Sequence, residues 1–113
     1  MKTLLVVTSL LVGLFLGACV HHRPGRAEVQ RWVEAGATLV DVRTPEEFAS
    51  GHLPGALNIP VDEMPRRLGE LGSPEKPLVV YCRSGARSSR AERLLKERGF
   101  QRVLNLGPMP AWE

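Results

Sequence analysis

The chain has 113 residues, room for one domain, and its 43% hydrophobic and 24% charged residues are ordinary for a globular protein. Its 11 glycines and 9 prolines are scattered and no segment repeats, which excludes collagen-like, low-complexity and solenoid architectures. The net charge is a modest +3, and the basic residues alternate with acids instead of forming a stripe, so the pattern argues against nucleic acid as a partner.

The N-terminal stretch "MKTLLVVTSLLVGLFLGAC" opens with Lys2, runs apolar from Leu4 to Leu16 and closes with the small residues Gly17 and Ala18. That is the order of a secretory signal peptide, and the apolar run of about thirteen residues is shorter than a comfortable membrane span. The tetrad Leu16-Gly17-Ala18-Cys19 resembles the lipobox of bacterial lipoproteins. That resemblance implies a signal peptide over residues 1–18, cleavage before Cys19 and lipid on the Cys19 sulfur and amine, with the membrane as a partner. Ordinary cleavage near Ala18 is the alternative. More than one acyl chain on a single residue gives an anchoring that one chain does not. Val20, rather than Asp, follows the cysteine. In such lipoproteins this implies export to the periplasmic side and onward to an outer membrane, where the cell has one. With Cys19 lipidated, Cys82 is the remaining thiol in a compartment where thiols usually pair, and an unpaired cysteine there is marked as reactive.

Residues 19–25 read as a tether. His21 and His22 have only His52 as a further histidine, and no Cys or His spacing completes a metal site. In "RAEVQRWVEA" (residues 26–35), Val29, Trp32 and Val33 fall at i, i+3 and i+4, which predicts a helix stopped by Gly36 and anchored by Trp32. "TLVDV" (residues 38–42) is a short β-rich run. Thr44 as N-cap, Pro45 at the first helical position and Gly51 as terminator predict a short helix after it. "ALNI" (residues 56–59) is a further candidate strand, and residues 62–71 read as a weaker helix with Pro65 in its first turn. "PLVVYC" (residues 77–82) is the clearest buried strand. Ala91, Leu94 and Leu95 set a helix over residues 87–98, and "RVLNL" (residues 102–106) is the last strand. Strands alternating with helices predict an α/β fold, a small and mostly parallel sheet with helices on both faces. Ligands collect at the carboxyl ends of strands in such sheets, and Cys82 sits there.

Between Cys82 and Arg87 lie Arg83, Ser84, Gly85 and Ala86. Small residues let successive backbone N–H groups curl toward one centre as an anion-binding nest, and the following helix adds the positive end of its dipole. With Arg83 and Arg87 alongside, all of these favour thiolate over thiol, so the pKa of Cys82 is expected to be lowered. No neighbouring His supplies a general base in sequence. The loop suits an anionic nucleophile and an anionic substrate.

"LVDVRTPEEFASGHLPGALNIP" (residues 39–60), "VVYCRSGARSSRAERLL" (residues 79–95) and "VLNLGPMPAW" (residues 103–112) together resemble the rhodanese family of sulfurtransferases. The resemblance runs from the first helix to Trp112, making residues 26–113 a rhodanese-like domain. It implies that Cys82 accepts a sulfane sulfur from a small anionic donor such as thiosulfate and becomes a persulfide, cradled by the loop from Cys82 to Arg87. Cyanide, a cellular thiol or a protein then removes the sulfur, in two half-reactions without cofactor or metal. Arg87 is expected to bind the donor or stabilise the persulfide. Arg83 either adds to the anion attraction or faces solvent. Asp41 and Arg43 match the upstream motif as a structural pair, His52 as a turn-fixing hydrogen bond, and Ser88 as a helix cap or a polarising group.

A related phosphatase branch of the fold carries one more residue between cysteine and arginine, and the four residues here are the shorter form associated with sulfur transfer. A non-catalytic module that binds a partner or senses redox state is the alternative function. The sequence departs from the family at "NLGPMPAWE", where Pro108 and Pro110 stand in place of the frequent glycine pair and stiffen one wall of the pocket.

Overall fold

The structure, a computed structural model, describes residues 23–111. The signal segment, Cys19, His21, His22 and Trp112 lie outside the described residues. The elements in chain order are α1 (Arg26–Glu34), β1 (Thr38–Asp41), α2 (Pro45–Ala49), β2 (Leu57–Asn58), α3 (Met64–Arg67), a 3₁₀ turn (Leu68–Leu71), β3 (Leu78–Cys82), α4 (Ala86–Glu97) and β4 (Val103–Pro108). The four strands form one sheet in the order β2-β1-β3-β4, and every pairing is parallel.

Side chains alternate across a strand, and β3 uses both faces. Leu78, Val80 and Cys82 point into one core with Val40, Ile59, Met64, Ala91 and Leu95, the side covered by α3 and α4. Val79 and Tyr81 point into the other, with Val29, Leu39, Leu53 and Leu106, the side covered by α1. All five β3 residues are buried, as expected of a central parallel strand with both faces covered. This parity aims the Cys82 side chain at the face where α4 begins.

Several local expectations shift. The predicted helix over residues 62–71 divides into one turn of α-helix and a 3₁₀ turn, because Pro65 must sit in the first turn and Gly72, at φ +78°, ends the segment. The strand expected over residues 56–59 keeps ladder geometry only at Leu57–Asn58. Helix α4 begins at Ala86, one residue early, and β4 runs two residues further, to Pro108. In α1 the buried residue is Val29, while Trp32 is partly buried under the guanidinium of Arg102, 5.6 Å from the ring centre. Val33 is 44% exposed, since the helix meets the sheet along the single stripe of Val29 and Trp32.

Candidate active site

Cys82 is the last residue of β3, and its side chain is fully buried. The chain then turns through Arg83 and Ser84 to Gly85, which caps α4 at φ +97°, a left-handed conformation that costs any residue with a Cβ. That conformation turns the Gly85 N–H onto the Cys82 Sγ at 2.9 Å. A Cβ on Gly85 would meet Pro108 Cδ at 3.6 Å and Gly107 Cα at 3.9 Å, ordinary van der Waals contact, so the end of β4 lies beside the loop.

Ser88, fully buried in the first turn of α4, has its Oγ 3.4 Å from Sγ, and its hydroxyl donates to the Gly85 carbonyl at 3.1 Å. When Cys82 is a thiol, its S–H donates to Ser88 Oγ. Once the proton leaves, rotation of the serine hydroxyl makes it a donor to the thiolate. Burial pushes the Cys82 thiol up, but the Ser88 hydroxyl and the backbone N–H groups of Ser88, Gly85 and Ser84 outweigh it. The net shift is downward, because hydrogen bonds to the charged form favour it. The largest lowering contributions are thus a hydroxyl and three amides, rather than the flanking arginines.

Arg87 points to Glu47 on α2: Nη1 donates to Oε1 at 2.6 Å and Nη2 to Oε2 at 2.9 Å. Glu47 is also the acidic member of a capping box. Its backbone N–H donates to Thr44 Oγ1 and its carboxylate accepts the Thr44 N–H, each at 3.2 Å. The Arg87 guanidinium, helped by Thr44, holds the Glu47 carboxyl down to about 2. Arg83 is exposed.

The upstream motif braces the sheet end beside the loop. Arg43 Nε donates to both Asp41 oxygens at 2.9 and 3.0 Å, Nη2 donates to Oδ2 at 2.6 Å, and the Arg43 N–H donates to Oδ1 at 2.9 Å. Arg43 also reaches the Gly51 carbonyl at 2.7 Å and lies 5.7 Å from the centre of the Tyr81 ring. The Tyr81 hydroxyl accepts the Leu53 N–H at 3.0 Å, and Asn58 Nδ2 donates to the carbonyls of Asp41 and Arg43, both at 3.0 Å. His52 Nδ1 lies 2.8 Å from the Phe48 carbonyl, which can only accept, so this nitrogen carries the proton; the ring stacks on Phe48.

The structure thus brings Cys82, Ser84, Gly85 and Ser88 together around one sulfur, keeps Asp41 and Arg43 as a brace, and places Ala86 at the exposed start of α4. Sequence reasoning missed Glu47, Tyr81 and Asn58. The capping-box spacing of Thr44 and Glu47 was available as a local signal, but the 40-residue separation of Glu47 and Arg87 leaves none for their pairing.

A groove of about 660 Å³ opens beside the loop, between α4 and β4. Ser84 and Gly85 form one end, Ser89 and Glu92 the α4 side, the whole of β4 the floor, and Arg23 with the buried Pro24 a further wall. Strand β4 bulges at Leu106, since Val80 pairs with Asn105 and Tyr81 with Gly107. Asn105 fixes the bulge: Oδ1 accepts the Gly107 N–H at 2.9 Å and Nδ2 donates to Ser89 Oγ at 3.2 Å.

Comparison with known proteins agrees with this geometry. Residues 26–113 match the family described as Rhodanese-like domain. A sulfurtransferase of Allochromatium vinosum is 48% identical over 75 residues, covering 66% of this chain and 69% of that protein. The human thiosulfate:glutathione sulfurtransferase is 40% identical over 82 residues, covering 61% of this chain and 71% of that one. The solved structure of a rhodanese with anions from E. coli superposes with a TM-score of 0.63 at 32% identity, over 68% of this chain and 94% of the other. A parallel sheet that ends in a buried cysteine, a loop of amides around its sulfur and relatives that transfer sulfur lead to one conclusion: the chain belongs to the rhodanese family.

Proposed function

We propose that this chain is a thiosulfate sulfurtransferase working through a Cys82 persulfide. In the first half-reaction the Cys82 thiolate attacks the outer sulfur of thiosulfate. A new S–S bond forms, the bond to the sulfonate sulfur breaks, and sulfite leaves with its electron pair. In the second, an acceptor such as cyanide attacks the terminal sulfur, and the electron pair returns to Sγ as thiolate. Charge balances in both halves, and the downward shift of the Cys82 thiol favours the thiolate that the attack needs.

The observation that carries this reading is the Gly85 N–H at 2.9 Å from a sulfur whose thiol is held below its ordinary range. The amides that stabilise the thiolate are in place to stabilise the anionic persulfide that replaces it. Arg83, exposed on the loop, attracts the anionic donor, while Arg87 acts through Glu47 by fixing the start of α4. The name of the human relative supports thiosulfate as donor and a thiol as acceptor.

The chain is further proposed to be exported and anchored by lipid on Cys19, facing the periplasm. The leader composition supports this. Metabolic labelling with a palmitate analogue tests it: label on the wild type and none on Cys19→Ala is expected, and unlabelled wild-type protein would refute it. Steady-state kinetics test the enzyme reading. Thiocyanate release from thiosulfate and cyanide should give parallel double-reciprocal lines and vanish in Cys82→Ser; a folded wild type without turnover would refute it.

The complete burial of Cys82 favours a second reading, a redox-sensing or binding module in which the thiol is kept from small molecules. Saturable binding to one protein, without turnover on any small donor, would favour that module.

A further inference from the structure

We propose that the active-site end of the domain is its membrane-facing surface. The chain holds the Cys82 loop against the bilayer, where sulfur passes to small molecules or lipid-held thiols and not to folded soluble proteins. The proposal rests on the reading that lipid is attached at Cys19.

The direction of α1 decides which end of the domain the anchor meets. Trp32, late in α1, lies under the Arg102 guanidinium just before β4, and the chain leaves α1 to enter β1 at Thr38. Both neighbours belong to the amino ends of the parallel strands, so α1 runs antiparallel to them. Nine residues of helix cover about 13 Å, nearly the ~16 Å height of a five-residue strand. Arg26, the first residue of α1, therefore stands at the carboxyl ends, where Cys82 closes β3.

The chain that enters α1 stays at that end. Pro24 is buried, and it lines with Arg23 the same groove as Ser84 and Gly85 of the cysteine loop. A space of about 660 Å³ is what one drug-sized ligand fills, so Arg23 lies within one ligand length of the loop.

Tether length then sets the gap. Val20, His21 and His22 separate Cys19 from Arg23. Four residue steps reach at most about 14 Å when fully extended. A folded partner of about 100 residues has a radius of gyration of about 13 Å, so it is roughly twice as wide as that gap. A small anion, cyanide or a thiol carried in the bilayer enters freely. Charge does not oppose the contact. Arg23, Arg26 and Arg83 outnumber Glu28 and Glu46 at this end, while Glu47 is held by Arg87 and Asp62 by Arg90. Anionic headgroups attract such a face.

The surface decides which acceptor arrives and leaves the chemistry of transfer unchanged. The acceptor attacks the terminal sulfur of the persulfide, and the S–S bond to Cys82 breaks with its electron pair returning to Sγ. With a thiol acceptor, the proton passes to the new terminal sulfur.

Spin labels measure the orientation. The lipid-bearing full chain is placed in vesicles of phosphatidylethanolamine and phosphatidylglycerol doped with a nickel-chelating lipid, whose effect on a label falls steeply with distance. Cys82→Ala removes the native thiol. A single label is then placed at Glu46→Cys, on the active-site end, or at Glu75→Cys, before β3 at the opposite end. Nickel should relax the label of Glu46→Cys several times more strongly, even at high salt, where charge attraction is screened. A flexible insertion of about twenty Gly and Ser residues after His22 frees the domain and should remove that difference. In the Cys82-containing chain on vesicles, the same insertion should speed persulfide discharge by a thiol on a folded protein several-fold. Discharge by cyanide should not change.

Equal or reversed relaxation, a difference that survives the insertion, or an unchanged discharge by the protein thiol would overturn the proposal. So would spin–spin broadening between labels of Glu46→Cys, which would assign that end to a second copy of the chain. A chain that takes up no palmitate analogue refutes the anchor itself, whereas a labelled chain without the near–far difference refutes the orientation alone. The relaxation arm needs no persulfide, so a failure of the sulfur-transfer reading is also seen separately.

Discussion

The guanidinium of Arg87 and the carboxylate of Glu47 form a two-pronged ion pair, 2.6 and 2.9 Å, between the first turn of α4 and the capping box of α2. Because α4 begins at the cysteine loop, the pair fixes the loop from outside. Its electrostatics give a pH signature. Glu47 is held down to about 2 from an ordinary 4.5, so it stabilises the fold fully above 4.5 and loses that contribution as pH falls toward 2. The pair is partly exposed, which limits its worth to about 1 kcal/mol. Glu47→Gln should lower stability by that amount at pH 7 and flatten its decline between pH 4.5 and 2, as followed by urea denaturation.

Ser88 Oγ, 3.4 Å from Sγ, bears on the ionisation of Cys82. The midpoint of Cys82 alkylation against pH should lie below that of an unperturbed cysteine in the unfolded chain. Ser88→Ala removes the hydroxyl beside Sγ, so the midpoint should rise and sulfur transfer near neutral pH should slow. Iodoacetamide kinetics over pH 6–10 check the direction; an unmoved midpoint would assign Ser88 to helix packing alone.

Gly85 carries both backbone geometry and chemistry. Gly85→Ala forces a Cβ into a left-handed conformation, at about 1–2 kcal/mol, although the space beside Pro108 accepts the methyl. It also tilts the N–H that meets Sγ. Thiocyanate release should fall by more than the stability loss explains, on the order of tenfold for one donor weakened by about 1.4 kcal/mol. Paired denaturation and rate measurements separate the two effects.

The Asp41–Arg43 brace should matter for folding more than for chemistry. Arg43→Met leaves a fully buried carboxylate without its partner, a change that costs about 3–5 kcal/mol. A large drop in thermal midpoint is expected, with normal persulfide formation in whatever fraction remains folded at low temperature.

The alternation of strands and helices was legible because each element is marked locally: a five-residue apolar run for β3, a proline-led cap for α2, a glycine stop after α4. The position of Cys82 followed from those marks, since a strand end before a helix is visible in one dimension. The partners of the loop were not. Glu47 meets Arg87, Tyr81 meets Leu53 and Asn58 meets Asp41 across separations of 40, 28 and 17 residues, set by which strands lie side by side. The groove is lined by the bulged strand β4 and by Pro24, and neither feature leaves a periodic trace.

The most direct test of the central claim is the intact mass of the purified domain after thiosulfate, free of other thiols. A gain of one sulfur atom is expected, located on Cys82 by peptide mapping, absent in Cys82→Ser and discharged by cyanide. A folded protein whose mass does not change, or whose added sulfur survives the loss of Cys82, would contradict it.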